Sequence, residues 1–315
     1  MSSTAPAQPY PLRVFDVVIR RVQDLTGHLR RITFAGPALE RFGVPGPTLD
    51  LRIKLLLPEP GHPVSRPGIP DGTLHEGWYQ EWLRGEQPGR GFIRSYTVRA
   101  VRTTPGGPEL DVDFVLHAGP GAGGPGAGWA LAAEPGKEIL IIGPDAGAVT
   151  DATPPSGTGI RWNPGQARQV LFVGDETAVP AISAVLRDLP AGISGHAFLE
   201  VADPGDFLDV CTGSGVRITW LARTPSGAPR GALLEEAVRQ TVKTPVSPDA
   251  QQLYAWVAAE AGTVKNLRRY LVGRIGLDPG RSEFRAYWSQ GKAGSGSNGT
   301  PQAASGLLAP ASAGG

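Results

Sequence analysis

The stretch QVLFVGDETAVPAI, residues 169–182, decides how the chain is read. Its first residues form an apolar run closed by Gly174 and Asp175, the pattern of a strand buried on both faces. Thr177 to Leu189 then reads as a helix, with Pro180 tolerated in its first turn. The alternation repeats downstream. GHAFLEVAD (195–203) and VRITWLA (216–222) read as the second and third strands, and Gly231 to Val242 as a helix. QLYAWVAAE (252–260) reads as a fourth strand and Thr263 to Val272 as another helix. Strands alternating with helices predict a doubly wound parallel sheet covered on both faces.

Upstream the pattern changes to short strands with turn punctuation. Arg13–Arg21, Leu29–Phe34, Leu49–Leu57, Ser95–Val101, Leu110–Leu116 and Glu138–Ile142 read as strands. Pro58-Glu59-Pro60-Gly61, Thr104-Pro105-Gly106-Gly107 and Glu134-Pro135-Gly136 separate some of them. This spacing predicts a small antiparallel barrel or sandwich. A loop with some helix, Pro58 to Arg90, interrupts it; Trp78 and Trp82, four apart, fall on one helical face as packing residues. Residues 146–168 read as a connection. The expected division is a barrel over 11–147, an α/β domain over 166–291 and a disordered tail over 292–315, rich in Gly, Ser and Ala.

Composition bounds the chemistry. A chain of 315 residues with 40% hydrophobic and 19% charged residues is globular and long enough for two cores. The net charge of +1, without a long basic run, argues against nucleic acid as the main partner but leaves room for a local anion pocket. Cys211 is the single cysteine, which excludes an intrachain disulfide and a Cys-based zinc or iron–sulfur site. The five histidines are scattered, so no protein-held metal is expected and redox chemistry needs an organic cofactor. The N-terminus lacks a charged region followed by an apolar one, and no apolar run approaches the roughly 20 residues that span a bilayer. A cytoplasmic monomer is expected.

Four segments carry candidate chemistry. In RSYTVR, Arg94 suits a phosphate, Tyr96 a flat ring, and Ser95 and Thr97 the polar edge of one; an edge strand with solvent-facing arginines is the plain alternative. HAGPGAGGPGAGWA (117–130) offers glycines that let backbone amides approach a pyrophosphate, with a helix expected over Gly128–Ala133; a flexible hairpin and a structural His117 are the alternatives. GDETAVPAI follows a strand at the end where open sheets take ligands, although Asp175 and Glu176 would repel a pyrophosphate and GxGxxG is absent. In WVAAEAG, Glu260 either accepts from a ribose or amide or serves as a helix N-terminal carboxylate.

Together these segments resemble the siderophore-interacting protein family, FAD-containing ferric-siderophore reductases related to the ferredoxin reductases. RSYTVR is similar to the family's R-x-Y-T-x-R, the glycine-rich loop to H-G…G-P-A…W-A, GDETAVPAI to G-D-E-T-A-x-P-A-I, and WVAAE to W-x-A-G-E. Tyr287-Trp288-Ser289-Gln290-Gly291 resembles Y-W-R-x-G. The resemblance runs from about residue 12 to 291. It implies an N-terminal FAD-binding barrel joined to an NAD(P)H-binding α/β domain. Arg94 then meets FAD phosphate and Ser95, Tyr96 and Thr97 the isoalloxazine, while His117, Gly124, Pro125 and Trp129 surround the adenine-side pyrophosphate. Asp175, Thr177 and Ala178 lie near flavin or nicotinamide, Glu260 near the incoming nucleotide, and Lys54 at the anionic siderophore. Ser289 and Ala259 depart from the family's arginine and glycine; Lys292, Arg285 or Arg281 could replace the lost basic contact, and Ala259 could crowd nucleotide entry.

The implied reaction takes a hydride from NADH or NADPH and passes electrons singly to chelated Fe(III), releasing Fe(II). The acidic stretch after the second α/β strand, with Glu200 as an acceptor for a ribose 2′-OH, favours NADH, while Arg223 keeps NADPH open and reduced ferredoxin is a third donor. Two other functions share these features: a general NAD(P)H:flavin or ferredoxin-type reductase, and a non-catalytic flavin-bearing siderophore-binding protein.

Overall fold

The computed structural model describes residues 10–63, 65–68, 71–116, 124–150, 153, 158–243 and 253–291. Six strands close into an antiparallel barrel: β1 (Leu12–Asp24), β2 (Leu29–Ala35), β3 (Arg52–Leu57), β4 (Phe92–Thr104), β5 (Gly107–Val115) and β6 (Glu138–Pro144). Their order is β1-β2-β5-β4-β3-β6, so closure leaves no open edge. Alternation along the strands points Phe15, Phe34, Ile53, Leu55, Val98, Val112, Phe114 and Ile141 into one interior cluster. On the outside, helix α1 (Trp78–Arg84) lays Trp78 and Trp82 over Leu12, Leu56, Ile93 and Ile142, the packing role expected of that pair.

Helix α2 (Pro125–Leu131) starts before the expected Gly128, because Pro125 is preorganised for a first helical turn. Trp129 packs against the barrel core, with its ring 5.7 Å from Phe114 and 6.4 Å from Phe34.

The second unit is a sheet of five parallel strands: β7 (Gln169–Asp175), β8 (Ser194–Val201), β9 (Gly215–Ala222), β10 (Leu253–Glu260) and β11 (Ser282–Trp288), in the order β11-β10-β7-β8-β9. Helix α3 (Val179–Asp188) covers the face carrying Phe172, Leu199 and Trp256. Helices α4 (Ala232–Thr241) and α5 (Ala261–Arg268) cover the other, with Leu171, Val173 and Val257. The doubly wound arrangement is therefore as expected, with β11 added. Gly174 lets α3 cross close to the end of β7: a Cβ there would lie 2.6 Å from Ala178 Cβ and 2.7 Å from Ile182 Cδ1.

Two carboxylates join the units. Asp50, buried before β3, accepts from the Arg161 and Trp162 amides (3.0 Å each) and from Trp256 Nε1 at 3.1 Å. Trp162 in turn stacks on Phe172 at 4.9 Å, so the connection is anchored in the second core. Asp206, after β8, accepts from Thr26 Oγ1 at 2.7 Å and pairs with His28 Nδ1 at 2.8 Å, both in the β1–β2 turn. Among the described residues no helix is long and apolar enough to cross a membrane. The expected tail over 292–315, with Lys292, lies outside the described residues, as does His117.

Candidate functional site

Strand β4 presents RSYT between the two units. Arg94 and Tyr96 share a face beneath α2, with Arg94 Cζ 5.5 Å from the Phe92 ring centroid and the Tyr96 ring 4.3 Å from Phe114. A Cβ on Gly126 would collide with the Tyr96 hydroxyl and lie 3.8 Å from Arg94 Cγ, so α2 sits directly on these two side chains. Burial pushes the Tyr96 phenol up and the Arg94 guanidinium down from their ordinary values. Residues 92–98 and 124–131 contain no acid. The cradle therefore offers a guanidinium, hydroxyls and backbone amides, a donor set suited to phosphate and to the polar edge of a flavin. Gly124 is the exposed residue before α2 and Pro125 its first residue; Trp129 faces the barrel core.

On the other face of β4, Ser95 is exposed and Thr97 buried. Their cross-strand partners on β3 are Lys54 and Arg52. Tyr287 of β11 reaches across from the sheet unit and its hydroxyl hydrogen-bonds that of Thr97; burial foremost raises the Tyr287 phenol. Lys54 Nζ lies 5.8 Å over the Tyr79 ring, and burial, then Arg52, pull the ammonium down to about 8. Burial, then Arg285, likewise depress Arg52. Three cations thus converge beside Thr97, of which Arg285 is paired with Glu283 at 2.6 Å.

The carboxyl ends of β7, β8 and β10 hold a denser polar network. Asp175, 1% exposed, accepts from the Thr177 amide at 3.0 Å, the Thr177 hydroxyl, the Glu260 amide at 2.9 Å and Trp288 Nε1 at 2.8 Å. It ties together the ends of β7, β10 and β11; burial, then Glu176, push it up to about 6. Ala178 is fully buried against Gly174. Any part Asp175 and Ala178 take in binding a nucleotide goes through the shape of the turn rather than through their own side-chain contacts. Glu176 bonds Arg223 at 3.0 and 3.2 Å and pairs with Arg230. Burial pushes Glu176 up, but the two arginines outweigh it and hold the carboxyl below its usual range.

Two expectations are corrected here. Glu200 is not a ribose acceptor: at 0% exposure it accepts from the Gly231 amide (2.7 Å), caps the start of α4 through the Leu234 amide and pairs with Arg223 at 3.2 Å. The electrostatic lean toward NADH that rested on it disappears. Ala259 does not crowd nucleotide entry, because its side chain is buried in the sheet core with Val257 and Leu267. Glu260 is the N-cap of α5: its carboxylate accepts from the Gly262 amide, from Thr263 at 3.3 Å and from the Gln290 amide at 3.2 Å.

Arg52 and Asp50 were missed by sequence reading. The signal for Arg52 lies in LRIK: a second cation two residues from Lys54 shares its strand face. Asp50 carried no legible signal, because its three donors come from segments more than 100 residues away.

Comparison with known proteins gives a consistent picture. Residues 18–148 match the family model described as siderophore-interacting FAD-binding domain, and residues 167–291 that described as siderophore-interacting protein. The ferric vibriobactin reductase ViuB of Vibrio cholerae is 33% identical over 283 residues, covering 90% of this chain and 91% of that protein. The NADPH-dependent ferric-chelate reductase of Escherichia coli is 28% identical over 88% of this chain and 93% of its own length. The crystal structure of a siderophore utilization protein from T. fusca superimposes with a TM-score of 0.68 at 29% identity, covering 90% of this chain and 95% of that one.

Proposed function

The chain belongs to the siderophore-interacting protein family, and from that premise we propose that it is an FAD-dependent ferric-siderophore reductase that draws electrons from NAD(P)H and frees iron as Fe(II) in the cytoplasm. The observation that carries this reading is the juxtaposition on β4: an acid-free cradle under α2 on one face and a cluster of cations beside Thr97 on the other. A redox cofactor and an anionic iron complex would then meet at one strand.

In this reading Arg94 holds the FAD phosphate, and Tyr96, Ser95 and Thr97 fix the ring system, with α2 closing over them. When bound, FAD supplies the redox chemistry, accepting a hydride from the nicotinamide and giving electrons one at a time to Fe(III). The residues of this chain bind and orient. Tyr287 and Thr97 keep the ring edge at the joint between barrel and sheet. Lys54 attracts the anionic chelate. Thr177 and Glu260 sit at the ends of β7 and β10, where an open parallel sheet takes a nucleotide. The iron step needs no protein acid or base, because an electron passed to chelated Fe(III) makes and breaks no bond to hydrogen at the iron, and the proton that reduced flavin would give up on oxidation can go to solvent.

The test is steady-state turnover of FAD-loaded protein under nitrogen, with NADH or NADPH as donor, a ferric siderophore as acceptor and ferrozine trapping Fe(II). Donor-dependent Fe(II) release faster with the siderophore than with free flavin supports the reading. A preference for free flavin would favour a general flavin reductase, and binding without turnover a carrier.

A further inference from the structure

We propose that Asp206 is a positioning residue for FAD: from the sheet unit it holds the β1–β2 turn of the barrel, and through that turn it fixes helix α2, which closes the flavin cradle. The inference rests on the reading of α2 and RSYT as that cradle and adds to it a dependence of flavin binding on the other unit.

The carboxylate is committed to the barrel. Asp206 lies in the loop after β8 and is 2% exposed. Its Oδ1 accepts from Thr26 Oγ1 at 2.7 Å and from the His28 amide at 3.3 Å, and its Oδ2 pairs with His28 Nδ1 at 2.8 Å. A buried carboxylate needs several donors to offset its desolvation, and these three come from one turn of the other unit. Asp206 is itself held in place. The Asp203 amide donates to its Oδ2 at 3.2 Å within a capping box, and the next residue, Phe207, stacks on Trp220 of β9 at 5.5 Å.

The turn passes that hold to the flavin side. Two residues past His28, Arg30 donates to the last carbonyls of α2, Ala130 at 3.0 Å and Leu131 at 3.1 Å. A helix end leaves such acceptors without partners inside the helix, and a cation there meets the negative end of its dipole. Asp24 aims Arg30 from across the hairpin, at 2.6 Å. The His28 carbonyl also accepts, at 2.8 Å, from the amide of Leu116, next in sequence to His117. On its other side α2 rests on Tyr96 and Arg94, so a shift of the helix alters the cradle directly. Holding a binding element in its bound position raises affinity, because the cost of ordering it no longer falls on the ligand. Linkage is reciprocal: bound FAD strengthens the contact between the units by the same factor.

A bond that only joins the units and one that positions the cradle differ in their effect on flavin affinity. The FAD-loaded full chain is diluted and ultrafiltered to obtain the Kd for FAD, and urea unfolding of the flavin-free chain reports stability. In Asp206→Ala the Kd rises at least about tenfold, and in Thr26→Val, which keeps the shape of the side chain and removes one donor, about threefold or more. Thr26→Ser, with the hydroxyl kept, returns the wild-type value. Thr26→Val also serves if Asp206→Ala does not fold. Arg30→Met raises the Kd as well, and in that background Asp206→Ala adds about threefold or less, the share carried by Leu116. Variants that unfold at lower urea yet bind FAD within about twofold of wild type would overturn the proposal, as would a full tenfold penalty that persists in Arg30→Met. A wild-type chain that holds no FAD would remove the cradle reading and the relay with it, whereas unchanged affinity in the variants removes the relay alone.

Discussion

Gly126→Ala tests whether α2 rests on the face of β4 that carries Arg94 and Tyr96. The added methyl group would overlap the Tyr96 hydroxyl, whereas its next neighbours, Tyr96 Cζ at 3.4 Å and Arg94 Cγ at 3.8 Å, are ordinary contacts. A single oxygen atom therefore generates the whole clash. Overpacking of this kind costs about 1–3 kcal/mol. Against it stands the gain of replacing glycine by alanine inside a helix, up to about 1 kcal/mol. The net expectation is a loss of about 0–2 kcal/mol in the wild-type background. In a Tyr96→Phe background the oxygen is gone, so the same substitution should become neutral or stabilising by about 0.5–1 kcal/mol. A double-mutant cycle, read by urea unfolding of the four FAD-free proteins, should return a coupling energy of about 1–3 kcal/mol. Equal penalties for Gly126→Ala in both backgrounds would refute the placement of α2 on Tyr96.

Three further outcomes follow from the same geometry. Asp50→Ala strips the acceptor from three buried donors that span both units and should cost about 3 kcal/mol or more in thermal or urea unfolding; a loss below about 1 kcal/mol would contradict the keystone role. Lys54, held at about 8 by burial and Arg52, should lose its grip on anionic chelates as pH rises through that value, so KM rises there in the wild type and stays flat in Lys54→Met, with the bound-flavin spectrum unchanged. Stability moves the other way: the folded value lies below the ordinary 10.5, so the Lys54 contribution is complete above 10.5 and lost as pH falls through about 8, a slope the variant should lack. Glu200→Gln should lower stability by about 1–2 kcal/mol through the α4 cap and Arg223 yet leave the NADH-to-NADPH ratio of kcat/KM unchanged; a change in that ratio would restore Glu200 to the nucleotide site.

Much of the fold was legible because burial writes itself into composition. QVLFVGD and LYAWVAAE are apolar on both faces and sit in the middle of the sheet, so their runs need no context to be read as strands. β11 escaped because it is an edge strand: SEFRAYW is half-buried almost throughout, without an apolar run, and its Glu283 and Arg285 satisfy each other on one face. The start of α2 was misplaced because glycines around Pro125 masked the proline signal. The site divides in the same way. Arg94, Tyr96 and Thr97 were found as a motif, and the structure places them on two faces of one strand. Asp175 and Glu260 were found too, but the donors that converge on them come from distant segments, and only the folded chain shows both carboxylates already engaged. Glu200 looked available in an acidic loop and proved to be the cap of a helix that begins 32 residues later at Ala232.

The measurement that bears most directly on the central claim is a single-turnover experiment without nicotinamide. FAD-loaded protein is reduced anaerobically with one equivalent of dithionite, freed of reductant and mixed in a stopped-flow instrument with excess ferric tris-catecholate and ferrozine. Two-electron reduced flavin feeding one-electron iron should reoxidise while two Fe(II) appear per FAD, at a rate that saturates with chelate concentration. Flavin that stays reduced until oxygen is admitted, with no Fe(II) formed, would contradict the assignment of this chain as a ferric-siderophore reductase.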